Sequence, residues 1–198
     1  MSFSILNPPE NMLKFYPITS VNDALFSPLY SLYSSAFPAN ERRSWTGLDR
    51  ELNSESRFSA NALMQNDEFV GFFNYWTFDR FVYIEHFAII PHFQSQKTGT
   101  KAMEMFKNQT TLPLVIEVEM PNDSLTIRRI RFYEDLGFKV LSHYYAQPPY
   151  EGSGFLMPML MLSTDLHFAN KHFELIKNRL YKDVYHFSTL TESIDICI

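Results

Sequence analysis

An apolar run, Phe87-Ala88-Ile89-Ile90, stops at Pro91, and small and hydroxyl residues, Gln94-Ser95-Gln96-Lys97-Thr98-Gly99-Thr100, lead into the next apolar pattern. That order spells a buried strand, a Pro-initiated turn and the first turn of a helix. The free N–H groups and positive dipole end of a helix start can hold a phosphate. A second segment, Arg131-Phe132-Tyr133-Glu134-Asp135-Leu136-Gly137-Phe138, lies a short way downstream. Together the two imply an enzyme with a phosphate-bearing cofactor; neither suffices alone.

The rest of the chain fixes the setting of these segments. Leu13 to Ile18 is strand-like. Phe26, Leu29, Tyr30, Tyr33 and Phe37 recur at helical spacing, with Ser27 expected as N-cap, Pro28 as first helical residue and Pro38 as the stop. Glu41-Arg42-Arg43 follows as a polar loop. Phe58 to Gln65, Phe69 to Phe78 and Phe81 to Ile90 make an antiparallel meander, its first turn at Asn66-Asp67-Glu68. Thr98 to Lys107 is helical and Leu114 to Glu119 is a short strand. Asp123-Ser124 caps a helix over Leu125 to Leu136, and Gly137 stops it. In that helix Leu125, Phe132 and Leu136 are expected inward, with Arg128, Arg131 and Asp135 outward. Lys139 to Ala146 and Phe155 to Ser163 read as two more strands. Hairpins and helical crossovers in one chain imply a mixed sheet with helices packed on it.

With 198 residues, 45% of them hydrophobic, the chain can bury one sizeable core. Its 19 Phe and 11 Tyr fit that core better than a surface for stacking bases. A net charge of −5 disfavours nucleic acid and suits a cationic partner such as an amine. The single cysteine, Cys197, can build neither a disulfide framework nor a Cys-based metal site. Neither a basic n-region with an apolar run nor a segment of membrane-spanning length is seen, so a cytoplasmic protein is expected.

The element order and the two segments resemble the GCN5-related N-acetyltransferase (GNAT) superfamily over Leu13 to Leu162. The resemblance implies an α/β (α+β) acyl-CoA N-acyltransferase fold, with a mixed, mostly antiparallel central sheet and helices on both faces. The domain is expected over 1–165, and the large apolar residues of 166–198 mark that stretch as a helical or irregular extension packed on it. The family's Gln/Arg-x-x-Gly-x-Gly/Ala loop is matched by Gln94 to Gly99, except that Lys97 stands at the middle Gly. Acetyl-CoA is thereby expected on Phe87, Ala88, Ile89, Gln94, Ser95, Gln96, Lys97, Thr98, Gly99 and Thr100. A Lys is strained at φ > 0, so the loop is expected to enter the helix with an ordinary φ at Lys97. The segment Phe132 to Phe138 is similar to the family's F-Y-E-x-x-G-F, in which the Tyr can protonate the leaving thiolate. Tyr133 inherits that role. Thr126 stands where many relatives carry a cofactor-contacting Asn.

Acetyl transfer to an amine also needs a proton acceptor. Glu85 lies in the apolar run Tyr83 to Ala88 and is the first choice; Glu117 and Glu119 are the alternatives. By alternation Glu85 and His86 face opposite sides unless a bulge intervenes. His143 is a weaker candidate for the substrate side. The histidines show no paired metal spacing, and no metal is expected. No nucleophile elbow, Walker loop or dinucleotide fingerprint occurs. The implied reaction is acetyl transfer from acetyl-CoA to a primary amine, on a small molecule or peptide, by direct attack on the thioester. A non-catalytic CoA-binding domain and use of another acyl-CoA are the alternatives. No nucleic-acid or membrane partner is expected, and a homodimer is compatible with the apolar tail.

Overall fold

The computed structural model describes residues 12–150 and 154–187. Eight strands form one sheet: β1 (Leu13–Ile18), β2 (Phe58–Gln65), β3 (Glu68–Thr77), β4 (Val82–Ile89), β5 (Leu114–Glu119), β6 (Lys139–Val140), β7 (Tyr145–Gln147) and β8 (Met157–Ser163). Their order is β1-β2-β3-β4-β5-β8-β6, with β7 also on β8. β4 and β5 run parallel and the other pairs are antiparallel. The parallel pair requires a crossover. It is made by α3 (Pro91–Gln94) and α4 (Thr98–Lys107).

Alternation along the strands splits the core into two layers. On one face Ala62, Phe72, Trp76, Tyr83 and Val115 meet α1 (Phe26–Ala36), α2 (Trp45–Ser54), α6 (Leu166–Lys171) and α7 (Phe173–Arg179). On the other, Leu63, Phe73, Ile84, Ile116 and Leu162 meet α4 and α5 (Ser124–Asp135). The expected mixed, mostly antiparallel sheet with helices on both faces is therefore found.

The structure departs from the sequence pattern in four places. Helix α1 begins at Phe26, and the Asp23 carboxylate accepts the Leu25 N–H at 2.9 Å. Pro28 is thus the third helical residue, still in the turn whose N–H groups have no intrahelical acceptor. Residues 139–146 are not one strand: β6 and β7 both pair with β8 but are separated by a bend. In α5 the buried residues are Thr126 and Tyr133, whereas Leu125 is 56% exposed. Phe132 and Leu136 face the core and Arg128, Arg131 and Asp135 face outward as expected, so the departure is at Leu125 alone, in the first turn that the Asp123 carboxylate caps. Helix α2, capped by Ser44, lies just beyond the polar loop and was not foreseen. The tail carries α6, α7 and a π-helical turn, Leu180–Val184, and buries Phe173, Ile176, Leu180 and Val184. The Pro8-Pro9 arm and Cys197 lie outside the described residues.

Candidate active site

The parallel pairing of β4 with β5 lasts three residues: Val82 with Leu114, Tyr83 with Val115, Ile84 with Ile116. Beyond it the two strands separate. β4 stays on β3 as far as Ile89, and β5 stays on β8 as far as Glu119. The facing edges of Glu85–Ile89 and Glu117–Glu119 therefore have no ladder partner in each other, which opens a fork lined by backbone donors and acceptors. β4 is pressed against β3 here: a Cβ on Gly71 would lie 2.4 Å from the Ala88 carbonyl oxygen.

The register between β3 and β4 shifts at this point. Asn74 pairs with His86 and Tyr75 with Ile84, leaving Glu85 as an extra residue. This bulge puts Glu85 and His86 on the same face. Glu85 contacts Trp76 and Arg43, His86 contacts Tyr33 and Phe37, and Phe87 and Ile89 return to the opposite face. The pairing that alternation forbids is thus made by the bulge.

Glu85 is tied down at both oxygens. Arg43 donates to Oε1 at 3.1 Å and the Trp76 indole donates to Oε2 at 2.7 Å. Its side chain is only 1% exposed although the residue as a whole is half-buried, so what Glu85 presents to solvent is backbone. Arg43 also reaches Glu51 at 3.1 Å and the Val184 carbonyl at 2.6 Å, beneath the ring of Tyr150. Burial holds the His86 imidazole below its usual range. The Glu41 carbonyl 2.9 Å from Nε2 requires an N–H there, so Nδ1 is free to accept from Tyr33, 3.5 Å away.

Across the fork Glu117 has different company. Tyr145 donates to Oε1 at 2.5 Å and Tyr185 donates to Oε2 at 2.7 Å. Burial pushes the carboxyl up to about 7, and the negative Glu85 adds to that; the hydroxyls of Tyr145, Tyr185 and Tyr83 oppose it. Among the described residues this partly buried carboxylate has no cationic partner of its own. Glu119, two residues on, is engaged by Arg129. Burial and the charge of Glu119 raise Glu41 at the same mouth.

The loop before α4 lies on the opposite face. Lys97 adopts φ +59°, ψ 20°, contrary to the ordinary φ expected from its side chain. The close turn into α4 demands a left-handed residue, and the Cβ is tolerated at a cost of roughly 1–2 kcal/mol. The first backbone bond of α4 runs from Lys101 N–H to Lys97 O, so the amides of Thr98, Gly99 and Thr100 precede it. The Thr98 hydroxyl is buried with no hydrogen-bond partner among the described residues. Ser95, Gln96 and Lys97 are exposed, and the Gln94 amide is spent on the Ile89 carbonyl at 2.8 Å. A Cβ on Gly99 would touch Ile89, Phe87 and Phe132 at 3.6 Å, so this position faces packing rather than solvent.

Tyr133 is 5% exposed, with its ring against Phe132 and Phe138. Burial raises its hydroxyl, which therefore stays protonated at neutral pH. Thr126 spends its own hydroxyl on the Asp123 cap. His143 stacks on Phe173 at 4.4 Å. No group of three His, Cys, Asp or Glu side chains able to hold a metal occurs among the described residues, and no helix among them could cross a membrane.

The structure brings together residues that sequence reasoning had left apart: Arg43, Tyr145, Tyr150 and Tyr185. Arg43 lay in a polar loop and the tyrosines in nominal core. Only a buried Arg beside two buried acids distinguishes such a cluster, and that is a property of packing.

The model of the acetyltransferase (GNAT) family matches residues 26–138. A solved structure described as a GNAT-family acetyltransferase from Bacteroides thetaiotaomicron is 31% identical; the match covers 88% of this chain and 99% of that one, with a TM-score of 0.83. The fold alone is shared with a GNAT acetyltransferase from Elizabethkingia anophelis with acetyl-CoA bound (19% identity, 78% and 98% coverage, TM-score 0.55). It is shared also with a Bacillus subtilis acetyltransferase in complex with CoA (18%, 79% and 99%, 0.53). No curated protein sequence matches. The family model spans more than half of the chain, and with the fork and the loop before α4 it places this chain in the GNAT family of acetyltransferases.

Proposed function

We propose that this chain transfers the acetyl group of acetyl-CoA to a primary amine by direct attack on the thioester. The observation that carries this is the fork between β4 and β5, open on one face toward the α4 loop and on the other toward Glu117. The residues fit the cofactor. The unpartnered Thr98 hydroxyl, the left-handed Lys97 and the amides of Thr98, Gly99 and Thr100 suit a pyrophosphate. The side chains of Ser95, Gln96 and Lys97 would flank it, Gln94 would brace the loop, and the free edge of Phe87, Ala88 and Ile89 suits pantetheine amides. When bound, acetyl-CoA supplies an acetyl group activated as a thioester.

Glu117 takes the proton that the acceptor ammonium must lose before its nitrogen can attack. With its carboxyl pushed up to about 7, it is near half-ionised at neutral pH, where a base is most effective. Tyr133, protonated throughout this range, gives a proton to the departing thiolate. Glu85, the first expectation for the base, is held by Arg43 and Trp76 and enters this mechanism as a charge that adds to the effect of burial on Glu117. Residues 166–187 wall the acceptor side, as an extension to the domain over 1–165.

Two measurements test this. Acetyl-CoA at millimolar concentration should raise the melting temperature, since a ligand of the folded state stabilises by mass action. CoA thiol release should then rise with a member of a primary-amine panel: polyamines, arylalkylamines and peptide N-termini. No thermal shift with acetyl-CoA overturns the cofactor site; a shift without turnover on any amine overturns N-acetylation.

A further inference from the structure

The tail reaches the centre of the site. Tyr185 follows the π-helical turn Leu180–Val184, and its N–H donates to the Leu180 carbonyl at 3.0 Å, five residues back. The extra residue in that turn displaces Tyr185 from the face an α-helix would give it. The turn is anchored by polar bonds as well as by apolar burial. Arg43 donates to the Val184 carbonyl, Tyr181 donates to the Ala146 carbonyl at 2.5 Å, and Arg57 pairs with Asp183 at 2.8 Å. The Tyr185 ring, 3% exposed, packs 4.9 Å from Tyr150. A Phe would fill that space equally well. The hydroxyl is therefore the informative part. It accepts from Tyr83 at 2.9 Å and donates to Glu117 Oε2.

We propose that Tyr185 is a positioning residue for Glu117: the C-terminal turn delivers its hydroxyl to one carboxylate oxygen, orients the group with Tyr145, and decides at what pH it gives up its proton. This rests on Glu117 being the proton acceptor. The groups that face Glu117 are Tyr83 and Glu85 from β4, Tyr145 from β7, and Tyr181 and Tyr185 from the tail. Of these, the hydroxyls of Tyr145 and Tyr185 donate directly to the carboxylate. Removing one donor from a carboxylate disfavours its charged form. The tail is then part of the catalytic apparatus and not only a cover for the core.

The full chain labelled with 13C at glutamate carboxyls allows Glu117 to be titrated without a substrate, with Glu117→Gln assigning the signal. Tyr185→Phe should move the midpoint upward by about one pH unit, the size expected for a lost hydrogen bond to a charged group. Tyr75→Phe, on the other face of the sheet, should leave it in place. Incorporation of 3,5-difluorotyrosine at 185, a stronger donor of the same shape, should move it downward and decides the matter if Tyr185→Phe does not fold. A midpoint unmoved by either change at 185 overturns the role of Tyr185. The acid limb of CoA release with the best amine of the panel separates the two ideas. Its loss in Glu117→Gln supports the base, and its survival there overturns the base whatever Tyr185 does.

Discussion

Glu85 and Glu117 stand on opposite arms of the fork, each the first residue beyond the last β4–β5 pair, Ile84 with Ile116. One carboxylate is locked by a buried arginine and an indole, the other is held by tyrosine hydroxyls. The fixed charge of the first helps to raise the second. Two acids with opposite environments can hold separate roles.

The raised Glu117 has a consequence for stability. Its folded value near 7 lies above the ordinary 4.5 of the unfolded chain. Between those two pH values the unfolded chain gives up this proton first, so Glu117 destabilises the fold progressively as pH rises through the window. Melting temperature against pH should fall across it, and Glu117→Gln should flatten that fall. An unchanged slope in the mutant would remove Glu117 as its source.

Lys97 supplies a test of backbone strain. Lys97→Gly should stabilise the protein by about 0.5–1 kcal/mol, the left-handed penalty less the entropy that glycine adds to the unfolded chain. Gly137, at φ +88°, should behave oppositely, with Gly137→Ala lowering stability. Urea unfolding of both variants checks the contrast. A destabilised Lys97→Gly would mean the lysine side chain contributes more than its conformation costs.

Thr98 separates folding from cofactor binding. Its buried hydroxyl has no partner, so Thr98→Val should leave the melting temperature of the free protein unchanged or raise it. The additional shift produced by acetyl-CoA should shrink. A variant with the full shift would show that the hydroxyl does not meet the cofactor.

Tyr133→Phe should reduce turnover by about 10²-fold while the affinity for acetyl-CoA changes little, because a proton given to a leaving group matters chiefly in the transition state. Normal turnover would return Tyr133 to packing between Phe132 and Phe138.

Arg43→Ala should cost about 3–5 kcal/mol, since it leaves Glu85 buried without its cation, leaves Glu51 to its partly exposed partner Arg50 and frees the Val184 carbonyl. Truncation after Thr164 should be worse: it uncovers the surface beneath Phe173, Ile176, Leu180 and Val184. A soluble truncation with an unchanged melting temperature would show the tail to be dispensable.

The sequence by itself determined the strands from β1 to β5 and the crossover. Runs such as Leu13 to Ile18 and Phe58 to Gln65 carry their apolar residues at strand spacing, and Asp123 and Gly137 mark the ends of α5 through local hydrogen bonding and backbone freedom. It also pointed to the α4 loop, whose chemistry lies within a few consecutive residues. Tertiary structure decided the rest. The bulge that turns Glu85 to the side of His86 depends on how β3 aligns with β4, and no pattern within β4 encodes that alignment. Lys97 takes a left-handed φ because the turn into α4 requires it, against its own preference. Arg43, Glu117 and Tyr185 are separated by 74 and 68 residues along the chain, and local periodicity records only whether each is buried. Which buried group meets which is set by the packing of the tail against the fork, and that packing determines the charges in the site.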